Sequence, residues 1–481
     1  MRYHSTRSPH FTADSAQALL EGLAPDGGLY MPQAIPEFDW QHCLRGTSQQ
    51  MSAAILSALL PDIPQMDALV RRAYTGKFET EDLTPTVPVG PFYALELFRG
   101  PTSAFKDVAL SLLPQLLTAA KEVKGIRQDI LILTATSGDT GKAALEGFHD
   151  VPGVKICVFY PQGGVSQVQQ AQMTTQEGDN VWVCALRGNF DDAQSGVKEI
   201  FAACQGQELP FRLSSANSIN IGRLAPQIMY YFRSYRDLLD AGVISLGQEV
   251  NFSVPTGNFG DILAGYLAKQ LGLPVGRLIC ASNANKVLTD FIRTGTYDRN
   301  RPLLKTTSPS MDILVSSNLE RLLYLLSGDT DLVGQLMDQL NRQGRYTVPQ
   351  PLLDAIQAQF WAGFCDDSRT QAVIGQVYQD HGYLCDPHTA AGWAAAQDYT
   401  AQTGDQRPMV VLSTASPFKF PEAVLSAIGG DTSGSGFDQM ARLSSLTHLP
   451  IPKNLADLPG KPVRHRLVLD KDQMLPFIRS L

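Results

Sequence analysis

The chain lacks the marks of a disulfide scaffold, a zinc site, a nucleic-acid binder or a membrane span. Its seven cysteines fall singly at positions 43, 157, 184, 204, 280, 365 and 385. Their odd number and the absence of any Cys-x-x-Cys pair argue against both a disulfide framework and a thiolate metal site. A formal charge of -8 has no basic tract to offset it, so no nucleic-acid partner is expected. Residues 1–12 carry no apolar signal core, and no apolar run approaches the roughly 18 residues a spanning helix needs, so no membrane association is expected. The eight histidines, at 4, 10, 42, 149, 381, 388, 448 and 465, form no ligand-like pair on one helical face, and no metal is expected. What is present is 481 residues, 44% hydrophobic and 18% charged, enough to bury two or three cores. The natural default is a cytoplasmic enzyme.

Short β-rich apolar runs alternate with amphipathic stretches, the pattern of an α/β protein with parallel strands and helices on both faces. The runs predict strands at 130–134, 154–160, 181–186, 250–254, 278–281 and 409–413. Helices are predicted at about 104–124, 141–149, 165–177, 191–204, 221–239, 260–271 and 388–401. From 301 to 351 the pattern is mostly helical, with no clear strand, and reads as an inserted module.

One lysine, Lys106 in Gly100-Pro101-Thr102-Ser103-Ala104-Phe105-Lys106-Asp107, sits at the mouth of a helix directly after a polar turn. A lysine so placed can hold an aldehyde cofactor as a Schiff base and later move protons as a free amine. By itself it would read as a solvated helix-end residue. Three strand ends add to it. The run Ala135-Thr136-Ser137-Gly138-Asp139-Thr140-Gly141 crowds hydroxyls and free amides at a helix N-terminus, which attracts an anion or simply caps the helix. The turn Pro255-Thr256-Gly257-Asn258-Phe259-Gly260-Asp261 lets backbone amides approach a single phosphate. Leu412-Ser413-Thr414-Ala415-Ser416-Pro417 offers the Thr414 hydroxyl to a ring nitrogen, or to a cap. All three lie where open parallel sheets bind ligands. His388, opening a helix in Asp386-Pro387-His388-Thr389, reads as capping support.

Together with Asn217-Ser218-Ile219-Asn220-Ile221-Gly222-Arg223 and the opening Leu23-Ala24-Pro25-Asp26-Gly27-Gly28-Leu29-Tyr30, these motifs occur in an order that resembles the threonine synthase family of the long bacterial and fungal type. The resemblance implies a fold-type II pyridoxal-phosphate enzyme with two open twisted parallel-sheet lobes. It implies a carbon–oxygen lyase acting on phosphates, converting O-phospho-L-homoserine and water to L-threonine and phosphate. By motif position, Lys106 would be the Schiff-base and catalytic lysine. Gly257, Asn258, Phe259 and Gly260 would hold the cofactor phosphate, and Thr414 would face the pyridine nitrogen. Thr136, Ser137 and Thr140 would bind the substrate carboxylate, and Asn217, Ser218, Asn220 and Arg223 the substrate phosphate. Asp139 is expected to point away from the substrate and brace its loop.

The expected division is an N-terminal segment (1–95) packing on the large lobe, a small lobe (96–224) carrying Lys106, a large cofactor-binding lobe (225–300 and 380–481) and a helical module (301–379), in a monomer or homodimer. Two enzyme alternatives stay open: a threonine-synthase-like phospho-lyase releasing 2-oxobutyrate, and a fold-type II serine or threonine dehydratase that needs no phosphate pocket. A non-catalytic cofactor carrier or scaffold is a third reading, opposed by the complete set of loops.

Overall fold

Apolar runs covered on both faces build two sheets in the computed structural model, which describes residues 1–136, 138–204 and 206–481. The smaller sheet runs in the order Leu467–Leu469, Val181–Leu186, Val154–Pro161, Asp129–Ala135, Phe211–Ser214, and all its neighbours are parallel. The larger runs Phe360–Phe364, Val275–Ser282, Val250–Pro255, Met409–Ser413, Phe92–Glu96, Thr86–Val89. It is parallel apart from the closing hairpin between the last two strands. Val250–Pro255 and Met409–Ser413 are buried at every residue, as central strands under helices on both faces must be. A three-stranded antiparallel sheet of Ser8–Asp14, Arg2–Ser5 and Tyr30–Pro32 precedes them. Arg7 joins it to Glu320 at 2.8 Å. No helix of the described residues is long and apolar enough to cross a membrane.

All six predicted strands are present, and Val181–Leu186 and Met409–Ser413 have the predicted ends. Five others in these two sheets escaped the pattern, among them the four-residue edge strand Thr86–Val89. Leu467–Leu469 is too short to show a period, and Phe360–Phe364 is diluted by Ala362 and Gly363, weak strand formers. Phe211–Ser214 and Phe92–Glu96 are four and five residues long.

These strands cross the expected boundaries. Phe360–Phe364 lies inside the supposed helical module yet forms the edge of the larger sheet, and Arg345–Thr347 in the same stretch pairs with Thr296–Asp298. Phe92–Glu96 straddles the 95/96 boundary and pairs with Met409–Ser413, while Leu467–Leu469 joins the smaller sheet rather than the larger. The predicted 221–239 helix is also divided, into Ile221–Leu224, a tight turn at Ala225–Gln227 and Ile228–Asp240. Pro226 has no N–H to donate there, which interrupts the helical ladder.

Candidate active site

Lys106 opens the helix Lys106–Val123, whose buried face includes Val108, Leu112, Leu113, Leu116 and Leu117. The preceding turn is held by Asp107, whose carboxylate folds back to accept both the amide (2.8 Å) and the hydroxyl of Thr102. The turn is also stitched to the end of the strand Met409–Ser413. Phe105 N donates to Thr414 O at 2.8 Å, Ser416 N donates to Ser103 O at 3.1 Å, and Ala104 bridges Ala415. Lys106 and Thr414, some three hundred positions apart in the chain, are therefore fixed to one scaffold.

The Lys106 Nζ lies 4.3 Å from the centre of the Phe105 ring. Among the described residues neither this amine nor the Thr414 hydroxyl has a hydrogen-bond partner, and both side chains are buried. Burial pushes the Lys106 amine down to about 8, with Lys419 and Arg223 adding to the effect and Asp139 and Asp261 opposing it.

The loop after the strand Asp129–Ala135 holds itself. The Thr136 hydroxyl accepts from the amides of Gly138 (3.0 Å) and Gly141 (2.9 Å), so this oxygen, expected to bind a substrate carboxylate, serves as the cap of the helix Asp139–Phe148. Gly138 has φ +144°, and a Cβ there would lie 2.5 Å from Gln169 Nε2, so no other residue fits. Thr140 is half-buried, and among the described residues its hydroxyl has no partner. Ser137 lies outside the described residues. Asp139 does brace the loop, through Gln169 Nε2 at 2.9 Å and Lys419 Nζ at 2.7 Å. Burial raises its carboxyl, but the ammonium groups of Lys419 and Lys106, with the hydrogen bonds from Lys419 and Gln169, outweigh that and hold it well below the usual carboxylate range.

Beyond the strand Val250–Pro255, Phe259 takes a left-handed conformation (φ +63°), and the helix Gly260–Gln270 begins with no side-chain cap. Its first amides are thus left for an anion. Gly257 passes so close to Ser310 that a Cβ would sit 2.6 Å from the Ser310 carbonyl oxygen. That wall is set by His388, which takes its Nδ1 contact from Asp386 (2.6 Å) and accepts the Ser310 amide on Nε2 (3.2 Å). The Asn258 side chain faces outward while its carbonyl accepts from the amide and side chain of Asn318, both at 3.1 Å.

In the 217–223 segment, Asn217 is exposed and Ser218 half-buried. Asn220, expected to hold substrate phosphate, is buried, with Oδ1 capping Gly222 N (2.8 Å) and Nδ2 donating to Leu19 O (2.7 Å). It anchors the segment to the N-terminal region. Arg223 is 4% exposed; one Nη donates to Ala216 O, Nε has no partner, and no carboxylate pairs with it among the described residues. Burial lowers its guanidinium to about 10. A buried guanidinium without a counter-charge attracts an anion.

Three residues with no assigned part tie these pieces together. Asn318 Nδ2 donates to both Ser218 O (3.2 Å) and Asn258 O (3.1 Å), and the fully buried Arg321 binds Asn318 Oδ1 (2.5 Å), Ile219 O (2.6 Å) and Tyr30 O. Lys419, besides Asp139, donates to Thr102 O at 3.0 Å. Of the three, Lys419 alone lies beside a motif quoted from the sequence, two residues beyond Pro417.

Family models match the threonine synthase N terminus at residues 2–74, pyridoxal-phosphate dependent enzymes at 75–415 and the threonine synthase C-terminal region at 389–475. Threonine synthase of Pseudomonas aeruginosa is 41% identical over 438 residues, 89% of this chain and 90% of that protein. The chain belongs to the threonine synthase family. The human protein threonine synthase-like 1 is 38% identical over 460 residues, 90% of this chain, and the chain spans 61% of that longer relative. A solved structure of pyridoxal-phosphate-bound threonine synthase from Brucella melitensis superposes with a TM-score of 0.88 at 38% identity, covering 100% of this chain and 99% of that one. The fold is thus that of the fold-type II pyridoxal-phosphate enzymes. The residues fit the cofactor: an unpartnered buried amine, an uncapped helix start behind a tight turn, and an unpartnered hydroxyl.

Proposed function

We propose that the protein converts O-phospho-L-homoserine and water into L-threonine and phosphate. The observation that carries the reading is Arg223, a buried guanidinium with a free Nε and no carboxylate partner among the described residues, whose charge is felt at the Lys106 amine. A forked cation near the proton-moving amine suits a substrate whose leaving group is a phosphate dianion. A dehydratase acting on unphosphorylated serine or threonine has no use for it.

Bound at this site, pyridoxal phosphate supplies an aldehyde that captures amines and a ring that withdraws electrons. Lys106 holds the aldehyde, the amides of Asn258, Phe259 and Gly260 beside Gly257 hold the phosphate, and the Thr414 hydroxyl meets the ring nitrogen. A hydroxyl there would leave the ring less electron-withdrawing than a carboxylate partner would. The substrate carboxylate is received by Thr140 and the amides of the 136–140 loop, with Ser137 included by motif position and Thr136 holding the loop in shape. Arg223 takes the substrate phosphate, with Asn217 and Ser218 beside it and Asn220 holding that segment in place.

Lys106 would remove the α proton and then a β proton and would return protons to the γ carbon, which becomes the methyl group, and to the α carbon, while phosphate leaves the γ carbon and water adds its hydroxyl at the β carbon, its spare proton going to the phosphate. A single amine on one face can do this because burial has brought it near neutrality, where it both accepts and donates.

The test is product analysis with O-phospho-L-homoserine. Purified protein should be yellow, should be labelled by borohydride at Lys106, and should release phosphate and threonine together, with Lys106→Ala losing all three. Release of 2-oxobutyrate with phosphate would instead show the phospho-lyase. Turnover of unphosphorylated serine or threonine with no preference for the phosphate ester would show the dehydratase.

A further inference from the structure

Asp261 is the unexplained charge of this site. It stands in the first turn of the helix Gly260–Gln270, directly after the glycine turn, is 7% exposed, and has no hydrogen-bond partner on either carboxyl oxygen. Helical side chains tilt toward the helix N-terminus, the end that carries the uncapped amides, and the Lys106 charge reaches this carboxyl, which sets it on the site side of the helix. An ionised carboxylate beside a phosphate would repel it, and an unpaired buried carboxylate is itself costly. Both difficulties disappear if the group carries a proton.

We propose that Asp261 is a neutral carboxylic acid in the loaded enzyme and donates a hydrogen bond to the phosphate of pyridoxal phosphate, so that binding the phosphate takes up a proton. The inference rests on the reading that this phosphate sits at the Gly257–Gly260 turn.

The surroundings support it. Burial raises the Asp261 carboxyl to about 8 even though the Lys106 charge opposes the rise. The other titratable neighbours are Tyr230 and Tyr231 on the helix Ile228–Asp240 and Cys280 on the strand Val275–Ser282, all raised by burial and none a cation. The Tyr231 hydroxyl is spent on the Asp261 backbone carbonyl at 2.7 Å, and the Tyr230 hydroxyl on Gln227 at 3.1 Å. Among the described residues Lys106 is the one cation whose charge reaches Asp261, and a bound phosphate adds two negative charges against it. A dianionic phosphate then leaves Asp261 with every reason to keep its proton.

The experiment compares pyridoxal phosphate with pyridoxal, which reacts with the same lysine but has no phosphate. Apoenzyme is titrated with each by calorimetry in buffers of different ionisation heat between pH 7 and 9, and the proton uptake for pyridoxal is subtracted. The expected difference rises toward one proton per site as pH passes 8, and it vanishes in Asp261→Asn, which keeps a donor but cannot titrate. The affinity of the wild type for pyridoxal phosphate, relative to that variant, should fall by about 10-fold from pH 7 to 9. An unchanged difference in Asp261→Asn overturns the proposal. If that variant does not fold, infrared difference spectra of wild-type enzyme loaded with the two compounds decide, since a protonated-carboxyl band gained at pH 9 with the phosphate supports the donor and its absence overturns it. Failure of the underlying reading shows separately: Gly257→Ala would leave the affinity ratio of the two compounds unaltered.

Discussion

Lys419 Nζ lies 2.7 Å from Asp139 Oδ1, both side chains almost wholly inaccessible. One partner follows the central strand Met409–Ser413 of the larger sheet, and the other opens the helix after Asp129–Ala135 of the smaller. This pair is therefore the charged seam between the two sheets' ligand loops, and Lys419 extends it to the turn before Lys106 through Thr102 O.

Breaking the pair on one side leaves a buried charge alone. Lys419→Met should cost about 3–5 kcal/mol, whereas Lys419→Met with Asp139→Asn should recover most of it. Urea unfolding of the two single variants and the double gives the coupling energy, and a value near zero would show that the seam carries no stability. The pH sign follows from the depressed Asp139 carboxyl. Its contribution is complete above the ordinary aspartate range near ~4 and fades as pH falls below it toward the folded-state value. The advantage of wild type over the double variant should shrink on acidification, not on alkalinisation.

Arg223 can be tested without losing its charge. Lys has a point charge where Arg has a fork, so Arg223→Lys should lower kcat/KM for O-phospho-L-homoserine by about 100-fold, the equivalent of roughly 3 kcal/mol of charge-assisted hydrogen bonding. The cofactor absorbance should persist, because Arg223 is assigned to the substrate. Undiminished turnover would return Arg223 to a structural role.

The parts of this site that were legible in the sequence are those where a strand ends, a polar turn follows and a helix begins. Lys106, Gly257 and Thr414 all stand at such junctions. At Thr136 and Asn220, polar residues at helix starts, the sequence did not decide between binding and capping, because the side chains that cap helices are the same types that bind anions. Asn318, Arg321 and the role of Lys419 were illegible for another reason: the partners that tie them to the site lie 60 to 317 positions away, and no local period reports such contacts. The short edge strands Leu467–Leu469 and Phe360–Phe364 depend in the same way on neighbours supplied by the rest of the fold.

Gly257 gives a steric test of the cofactor turn. A methyl group there would meet a backbone oxygen 2.6 Å away that cannot rotate aside, so Gly257→Ala must move Ser310 and its His388 contact. Such overpacking costs about 1–3 kcal/mol, and the Kd for pyridoxal phosphate should rise by about 10-fold or more. Gly460→Ala is the matched control, since nothing lies within 4 Å of a Cβ at that position, and it should leave Kd unchanged. Equal effects of the two substitutions would remove the turn from the cofactor site.

The Lys106 amine makes the last prediction, for the apoenzyme. Only the free base attacks an aldehyde, and burial brings the amine down to about 8 from the ordinary lysine value near ~10.4. The rate of reloading with pyridoxal, which has no phosphate for Asp261 to bond, should rise with pH, reach half its limit near 8 and level off above about 9. Asp139→Asn removes a negative charge that favours the ammonium and leaves the Lys419 charge uncompensated, so both changes push the amine further down. The midpoint should then move below 8. Stopped-flow absorbance across pH 6 to 11 measures both proteins. A wild-type midpoint near 10 would mean that the amine is hydrated in solution, and an upward shift in Asp139→Asn would mean that its carboxylate does not act on Lys106.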